Sequence, residues 1–245
     1  MQRGNPTEVV PEYAVDYKRL QKLREYGFSP TSILDIGAST GVWTATCSMV
    51  FPEADYFLIE PLVYPEEYSP VPGIKRHWIR QAVGSKEDAV ELIVPDRGEQ
   101  SLYNAHVLPP PAGSLRARSP HEKLSVRQTT VDCLLETGAI QPPQLIKLDV
   151  QGYELEVLHG ARRLWDTAKV FFIETSIYRY WQGAPLLSDI VAFFAQHGFQ
   201  FYDFSTEFRT GPDLLSQLDI IFVDERCQMF RLMDLTTNSK PKWGY

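Results

Sequence analysis

Nearly continuous hydrophobic runs recur along the chain and end in glycine, proline or polar residues. Such runs are typical of parallel strands that are covered on both faces. The runs SILDIG, DYFLIEP, QLIKLDV and KVFFIETS therefore predict buried strands over residues 32–37, 55–61, 144–150 and 169–176. A more polar run, IKRHWIRQAVG, predicts a further strand over residues 74–84.

Between these runs, hydrophobic residues recur at the spacing of one helix face, as Leu155, Leu158 and Ala161 do. This pattern predicts helices over residues 12–26, 40–50, 153–164 and 185–198. Strands that alternate with helices specify an α/β protein with a largely parallel sheet covered by helices.

The last two strand-like runs, FQFYDF (199–204) and LDIIFVD (218–224), have no clear helix between them. They predict an antiparallel hairpin at the edge of the sheet, with its loop at residues 205–216.

Residues 85–131 have a different character from the rest of the chain. Short strand-like pieces, AVELIV, SLYNAHV and SVRQTTV, flank the proline-rich stretch LPPPAGSLRARSPHEK. We expect this segment to add strands and a flap over residues 99–127 beside a functional site. The chain is then a single domain over residues 1–245, with an N-terminal helical extension over residues 1–28.

Composition narrows the class of protein further. The 245 residues are 44% hydrophobic and carry a formal net charge of -7, which argues against a broad phosphate-binding surface for nucleic acid. Three widely spaced cysteines give neither a disulfide framework nor a zinc signature. No clear ligand cluster predicts a metal centre, although Asp149 and Glu174 could share an ion. The sequence has no signal-peptide pattern and no run of membrane-spanning length, so we expect a cytoplasmic protein.

The loop after the first predicted strand, DIGASTG, is the first place to expect a ligand, because doubly wound sheets bind ligands beyond the carboxyl ends of their strands. Gly37 permits a tight turn and Gly41 permits close approach of the following helix. Ser39 and Val42 stand where a dinucleotide loop needs glycine, so a nicotinamide-dependent oxidoreductase is disfavoured. Asp35 places a carboxylate beside the ligand, which suits a cation better than a pyrophosphate.

Glu60 ends the second predicted strand, twenty-three residues after Gly37. An acidic side chain at this point can accept hydrogen bonds from both ribose hydroxyls of a nucleoside. Together with Asp35, it predicts a pocket for a nucleoside that carries a positive charge. S-adenosylmethionine has that chemistry.

A longer motif, IKLDVQGYELEVLHGA (146–161), resembles the signature of the FkbM-type methyltransferase family. The runs ILDIGASTGVWT, FLIEP, RQAVGS, TTVDCLL and FFIETS follow that family's order, so the resemblance covers about residues 30–176. Many members of the family carry Glu where this chain has Gln151.

The resemblance implies a Rossmann-like class I methyltransferase fold, with a mostly parallel seven-stranded sheet, an antiparallel edge hairpin and an inserted strand and loop segment. It also implies an S-adenosylmethionine-dependent O-methyltransferase that acts on a hydroxyl of a sugar or natural-product acceptor. The alternative is a non-catalytic S-adenosylmethionine-binding partner or regulatory protein. The positions expected to bind the cofactor are Asp35, Gly37, Ala38, Ser39, Gly41, Glu60, Pro61, Ala82, Val83 and Asp149.

Methyl transfer to an alcohol needs a group that accepts the hydroxyl proton. Asp149 and Glu174 end central predicted strands and are the main catalytic candidates. His106 and His121 flank the proline-rich stretch and are weaker candidates for the base or a substrate contact.

A basic cluster lies in the predicted flap of an otherwise acidic protein. Arg116 and Arg118 are the residues we expect to bind an anionic acceptor, such as a phosphate- or uronate-bearing sugar. The acceptor side of the pocket is expected from residues 99–127, 177–184 and 205–216.

Overall fold

The computed structural model describes residues 13–62, 73–95, 105–112, 114 and 121–227. Arg116 and Arg118 lie outside these described residues, as do residues 99–104, 113 and 115–120 of the predicted flap. The strands are β1 (Ser32–Ile36), β2 (Asp55–Ile59), β3 (Lys75–Ile79), β4 (Ala82–Val83), β5 (Asp88–Pro95), β6 (His121–Thr129), β7 (Leu145–Leu148), β8 (Val170–Ser176), β9 (Phe199–Thr210) and β10 (Leu214–Asp224). The helices are α1 (Ala14–Glu25), α2 (Val42–Ser48), α3 (Val131–Glu136), α4 (Glu154–His159), α5 (Leu164–Thr167) and α6 (Leu187–Gln196).

Seven strands form the main sheet in the order β3-β2-β1-β7-β8-β10-β9. Neighbours from β3 to β8 pair in parallel, and β10 pairs antiparallel with both β8 and β9. The predicted fold class, a mostly parallel seven-stranded sheet with an antiparallel edge hairpin, is confirmed.

The central strands are hydrophobic on both faces because helices cover both. Ile33 and Leu145 pack with residues of α1 and α2, while Leu34 and Ile146 pack with residues of α4 and α6. All five residues of β1 and all four of β7 are buried. This packing explains why the strands appear in the sequence as nearly continuous hydrophobic runs.

The polar run 74–84 is not one strand, as the sequence predicts, but two. β3 ends at Ile79, and β4 leaves the main sheet to pair in parallel with β6, at Ala82 with Gln128 and Val83 with Thr129. β6 also pairs antiparallel with β5, so the three strands form a second sheet in the order β4-β6-β5. The predicted strand at 101–107 is not formed by its described residues, among which only His106 bridges Ile93.

The predicted helix 153–164 is broken at Gly160. A Cβ at this position would lie 2.0 Å from the carbonyl oxygen of Gly84, so the backbones of two segments meet there. The Gly160 carbonyl accepts a hydrogen bond from the Asp132 N–H, and the Asp132 carboxylate accepts the N–H groups of Arg162 and Arg163. These contacts redirect the chain, so α4 ends at His159 and α5 begins at Leu164.

The edge hairpin is longer than predicted. The residues predicted as its loop, 205–216, mostly belong to β9 and β10, and the turn is confined to residues 211–213. Gly211 and Asp213 both have positive φ, and shifts of register between the two strands accommodate the irregular polar sequence. Most of the residues predicted as a loop are therefore paired strand residues of the hairpin.

Across the described parts of the chain, no helix combines the length and the hydrophobicity that crossing a membrane requires.

Candidate functional site

A cavity of about 390 Å³ opens at the carboxyl ends of the parallel strands. Its walls come from the ends of β1, β2, β7 and β8, together with Tyr13 just before α1, the second sheet and the hairpin. Parallel strands bring their carboxyl ends to one edge, which is where such sheets bind ligands. The volume lies within the usual range for small-molecule sites.

The β1–α2 loop is pressed against the end of β7. Gly37 has φ +77, and a Cβ there would lie 1.8 Å from the carbonyl oxygen of Asp149. The N–H groups of Gly37 and Ala38 both donate to the Ile59 carbonyl, at 2.9 and 3.2 Å. Only a glycine fits this crossing of three strand ends. Gly41 has φ +76 and precedes α2; it does not line the cavity, and its N–H donates to the Ala38 carbonyl, closing the loop.

Asp35 is buried at the floor of the cavity. One carboxylate oxygen accepts a hydrogen bond of 2.6 Å from the Thr44 hydroxyl at the start of α2. Burial raises the pKa of the Asp35 carboxyl to about 7, although the bond from Thr44 and the charge of Lys147 oppose the rise. Asp35 thus fixes the loop to the helix and places an acidic group at the floor.

Glu60 faces the cavity from the end of β2. Its two carboxylate oxygens accept the N–H groups of Ser39, at 3.1 Å, and Leu62, at 3.0 Å. Burial raises its pKa, and these two bonds oppose the rise. Each oxygen has a second lone pair that can accept a ligand hydroxyl. The Ser39 hydroxyl oxygen, also at the cavity, is buried without a hydrogen-bond partner among the described residues.

Asp149 and Glu174, the predicted catalytic residues, stand side by side at the ends of β7 and β8. The Gln151 side-chain nitrogen lies 3.0 Å from Asp149 Oδ1 and 2.8 Å from Glu174 Oε2, and donates to both. Burial raises the pKa of Glu174 well above its usual range, and the charges of Asp149 and Asp219 add to the effect. A carboxyl whose pKa is shifted by burial and by neighbouring acids is a candidate for general acid–base catalysis.

Lys147 is a buried cation beneath these carboxylates, and the sequence analysis gives it no role. Its Nζ donates to Asp219 Oδ1 at 2.7 Å and lies 3.7 Å from Asp149 Oδ2. Burial alone would lower its pKa, but the carboxylates of Asp219, Asp149, Asp16 and Glu174 outweigh this and raise it. A charged residue inside the hydrophobic run LIKLDV is the sequence signal that could have identified it.

Most of the predicted site residues line this one cavity. They are Asp35, Gly37, Ala38, Ser39, Glu60, Pro61, Ala82, Val83, His106, Asp149 and Glu174. His121, exposed at the start of β6, is not part of the lining.

His106 belongs to a wall made by two segments that lie far apart in sequence. Its ring stacks on Trp181 with a centroid separation of 3.6 Å, and the Gln182 N–H donates to the Pro109 carbonyl at 2.7 Å. Residues 106–109 and 181–182, from the two segments that are predicted at the acceptor side, thus meet at this wall. Tyr13, the residue that precedes α1, also lines the cavity, a contact that the sequence does not suggest.

The hairpin contributes Phe208 and Gln217 to the cavity. The two residues are paired across β9 and β10, so their side chains lie on the same face. Both lie in or beside the segment 205–216 that the sequence places at the acceptor side. The two residues themselves are not predicted, because the segment is predicted as a loop. Only in a strand does the alternation of residues show which side chains lie on the same face.

A family model described as "Methyltransferase FkbM domain" matches residues 35–201, which is 167 of the chain's 245 residues. No curated protein sequence matches the chain.

Several solved structures are similar to this one. An FkbM methyltransferase from Methylobacillus flagellatus KT is 16% identical, with a TM-score of 0.47 over 79% of this chain and 43% of that one. The chain thus spans less than half the length of that protein. Magnesium protoporphyrin IX methyltransferase from Synechocystis, solved with SAM bound, is 11% identical, with a TM-score of 0.45 over 86% of this chain and 78% of that one. Precorrin-6y C5,15-methyltransferase from Geobacter metallireducens is 11% identical, with a TM-score of 0.43 over 88% and 90% of the two chains.

Proposed function

The chain belongs to the family of FkbM-domain methyltransferases, and on that premise we propose that it is an O-methyltransferase. The proposed acceptor is a hydroxyl group of a sugar or natural product. The cofactor is S-adenosylmethionine, which supplies a methyl group already activated on a positively charged sulfur. What remains for the protein is to bind, orient and deprotonate the acceptor.

The acidic residues that line the cavity are suited to a nucleoside that carries a positive charge. Asp35, Glu60, Asp149 and Glu174 give it a surplus of acidic groups over the single cation Lys147, counted among the described lining residues. The unpartnered Ser39 hydroxyl is a polar group for which a ligand atom would supply the missing bond.

Within the cofactor site, the proposed roles differ between residues. Glu60 would hold the ribose, while Gly37, Ala38, Ser39 and Pro61 would enclose the rest of the nucleoside. Ala82 and Val83 would contact the adenine. Asp35 and Gly41 would contribute indirectly, by maintaining the conformation of the β1–α2 loop. Asp35 accepts a hydrogen bond from Thr44, and Gly41 is not among the residues that line the cavity.

The observation that carries the O-methyltransferase proposal is the pair of adjacent carboxylates, Asp149 and Glu174, in the same cavity as Glu60. An alcohol is a poor nucleophile until its proton is removed, and a carboxylate within hydrogen-bond reach can remove it. We assign that role to Glu174, and we assign Asp149, held near Lys147, to orienting the acceptor and cofactor. Placement of the acceptor oxygen beside the activated methyl supplies the rest of the rate enhancement.

Other expectations stay proposals. His106 lines the cavity and is the second candidate for the base, whereas the exposed position of His121 supports a catalytic role less well. Arg116 and Arg118 are proposed to bind an anionic acceptor from the flap. We further propose a single methyltransferase domain that works in the cytoplasm on small molecules or saccharides rather than on nucleic acid, which the net charge of -7 supports.

The test is a methyl-transfer screen over sugars, nucleotide sugars and small natural-product alcohols, read by mass spectrometry with deuterium-labelled S-adenosylmethionine. We expect the label on an acceptor oxygen with wild-type protein, and a loss of about 100-fold or more in Glu174→Gln, since general bases typically contribute that much. Calorimetric binding of S-adenosylmethionine by both proteins is the control. Tight cofactor binding without transfer to any acceptor would favour the non-catalytic alternative.

A further inference from the structure

The Gln151 amide bridges the two carboxylates through one uncharged donor group. Its side-chain nitrogen carries two hydrogens, and it has two acceptors, Asp149 Oδ1 at 3.0 Å and Glu174 Oε2 at 2.8 Å. An amide does not titrate in the physiological range, so it remains a donor to both carboxylates whatever their protonation.

The backbone holds Gln151 in this position. Gln151 has φ +55, in the left-handed region that few residues other than glycine adopt, and Gly152 follows with φ +94. A Cβ on Gly152 would lie 2.6 Å from the Trp181 ring, and the Gly152 N–H donates to the buried Glu154 carboxylate at 2.9 Å. Strain of this kind persists where the surroundings impose it, and it marks functional sites.

Glu174 depends on this amide more than Asp149 does. The charged groups that face Glu174 are the carboxylates of Asp149, Asp219 and Glu154 and the ammonium of Lys147. Lys147 donates to Asp219 and lies near Asp149, and within the described part of the chain the hydrogen bond from Gln151 is the one that the Glu174 side chain receives. The other carboxylate oxygen of Glu174, Oε1, makes no hydrogen bond within the described part of the chain. Glu174 itself lines the cavity.

From this geometry we propose that Gln151 is a positioning residue, which favours the ionised form of Glu174 beside Asp149 and leaves its second oxygen to accept the acceptor's proton. The proposal rests on the proposed methyl-transfer function. A donor to a carboxylate favours its ionised form, so loss of the amide makes Glu174 bind its proton more tightly. Because a base works only when deprotonated, the acidic limb of the pH–rate profile then moves to higher pH.

Two variants test the proposal. Gln151→Met keeps the length of the side chain and removes the donor, and Gln151→Glu replaces the donor with a third acid. Gln141→Met is the matched control, because Gln141 also donates to a carboxylate, Asp55, but is exposed and away from the cavity. We expect both Gln151 variants to move the acidic limb of kcat/KM up by about one pH unit, with S-adenosylmethionine affinity within about threefold of wild type. Gln141→Met should leave the profile unchanged.

A second measurement needs no acceptor. Carbon-13 NMR titration of the glutamate carboxyls, with Glu174 assigned through Glu174→Gln, reports protonation of Glu174 directly. We expect its midpoint to rise by about one pH unit in Gln151→Met. A raised midpoint without methyl transfer to any acceptor would retain the positioning role and reject the proposed function. An unchanged midpoint in a folded Gln151→Met protein, or an unchanged pH profile in an active one, would overturn the positioning role itself.

Discussion

Lys147 decides whether the acidic groups under the cavity can coexist in the folded protein. Its side chain is 5% exposed and donates to Asp219, whose side chain is 7% exposed. Burial raises the pKa of Asp219 to about 6 even with Lys147 present. When one partner of such a pair is removed, the other is left as an uncompensated buried charge.

We therefore expect Lys147→Met to lower the free energy of unfolding by about 3–5 kcal/mol at about pH 8, measured by urea denaturation. At about pH 5 the loss should shrink, because Asp219 is then protonated and no longer needs a cation. Lys75→Met is the control: Lys75 is 77% exposed and pairs with Asp55 at 3.3 Å, so its loss should cost less than about 1 kcal/mol. Equal losses in both variants, or a loss independent of pH, would contradict this role of Lys147.

At the scale of single elements, the meeting of β1 and β7 shapes the β1–α2 loop, which we propose binds the cofactor. Gly37 and Gly138 both have positive φ, +77 and +71. A Cβ on Gly37 would overlap the Asp149 carbonyl, whereas a Cβ on Gly138 would meet nothing within 4 Å. Alanine substitutions at these two glycines therefore distinguish two costs. At Gly138 the substitution introduces backbone strain alone, and at Gly37 it introduces backbone strain and steric overlap.

We expect Gly138→Ala to cost about 1 kcal/mol of stability and to leave S-adenosylmethionine binding unchanged. Gly37→Ala should cost more and should abolish binding, because the loop must move away from β7 to admit the methyl group. Thermal unfolding and calorimetry together measure both effects. Wild-type affinity in Gly37→Ala would show that the loop does not form the cofactor site.

The edge hairpin offers a second comparison at this scale. Phe208 and Phe204 both lie on β9 and are 42% and 43% exposed, but only Phe208 lines the cavity. Loss of an aromatic contact with an acceptor corresponds to about 1–2 kcal/mol, so we expect Phe208→Ala to raise the acceptor KM about tenfold. Phe204→Ala should leave that KM unchanged, and both should keep the wild-type affinity for S-adenosylmethionine. Equal effects of the two variants would remove the hairpin from the acceptor site.

The elements also show what could be predicted from sequence. β1, β2, β7 and β8 are recognisable because both faces are buried, which leaves little room for polar residues. The run 74–84 misleads because the chain changes sheets within it, and the break at Gly160 depends on a contact with Gly84 that is remote in sequence. Acids at strand ends could be found by position, and Lys147 by its charge within a hydrophobic run, but Phe208 and Tyr13 reach the cavity only through tertiary packing.

In the molecule as a whole, the parallel sheet gathers carboxylates at one edge and the remaining elements enclose them. Lys147 pairs with Asp219 and lies near Asp149 within the sheet, while Asp35, Glu60 and Glu174 also line the cavity. A ligand that binds the folded state alone also stabilises it by mass action, by about 2.7 kcal/mol at 100 times its Kd. The cofactor should therefore raise the unfolding temperature of the whole domain.

The most direct test is calorimetric titration of S-adenosylmethionine into wild-type protein, Glu60→Ala and Glu53→Ala. Glu60 lines the cavity at the end of β2, whereas Glu53 is an exposed acid that precedes the same strand. We predict binding by wild type and Glu53→Ala, and a loss of affinity of about 100-fold in Glu60→Ala, the value of two charge-assisted hydrogen bonds. Equal affinity in all three proteins would contradict the claim that these strand ends form the cofactor site.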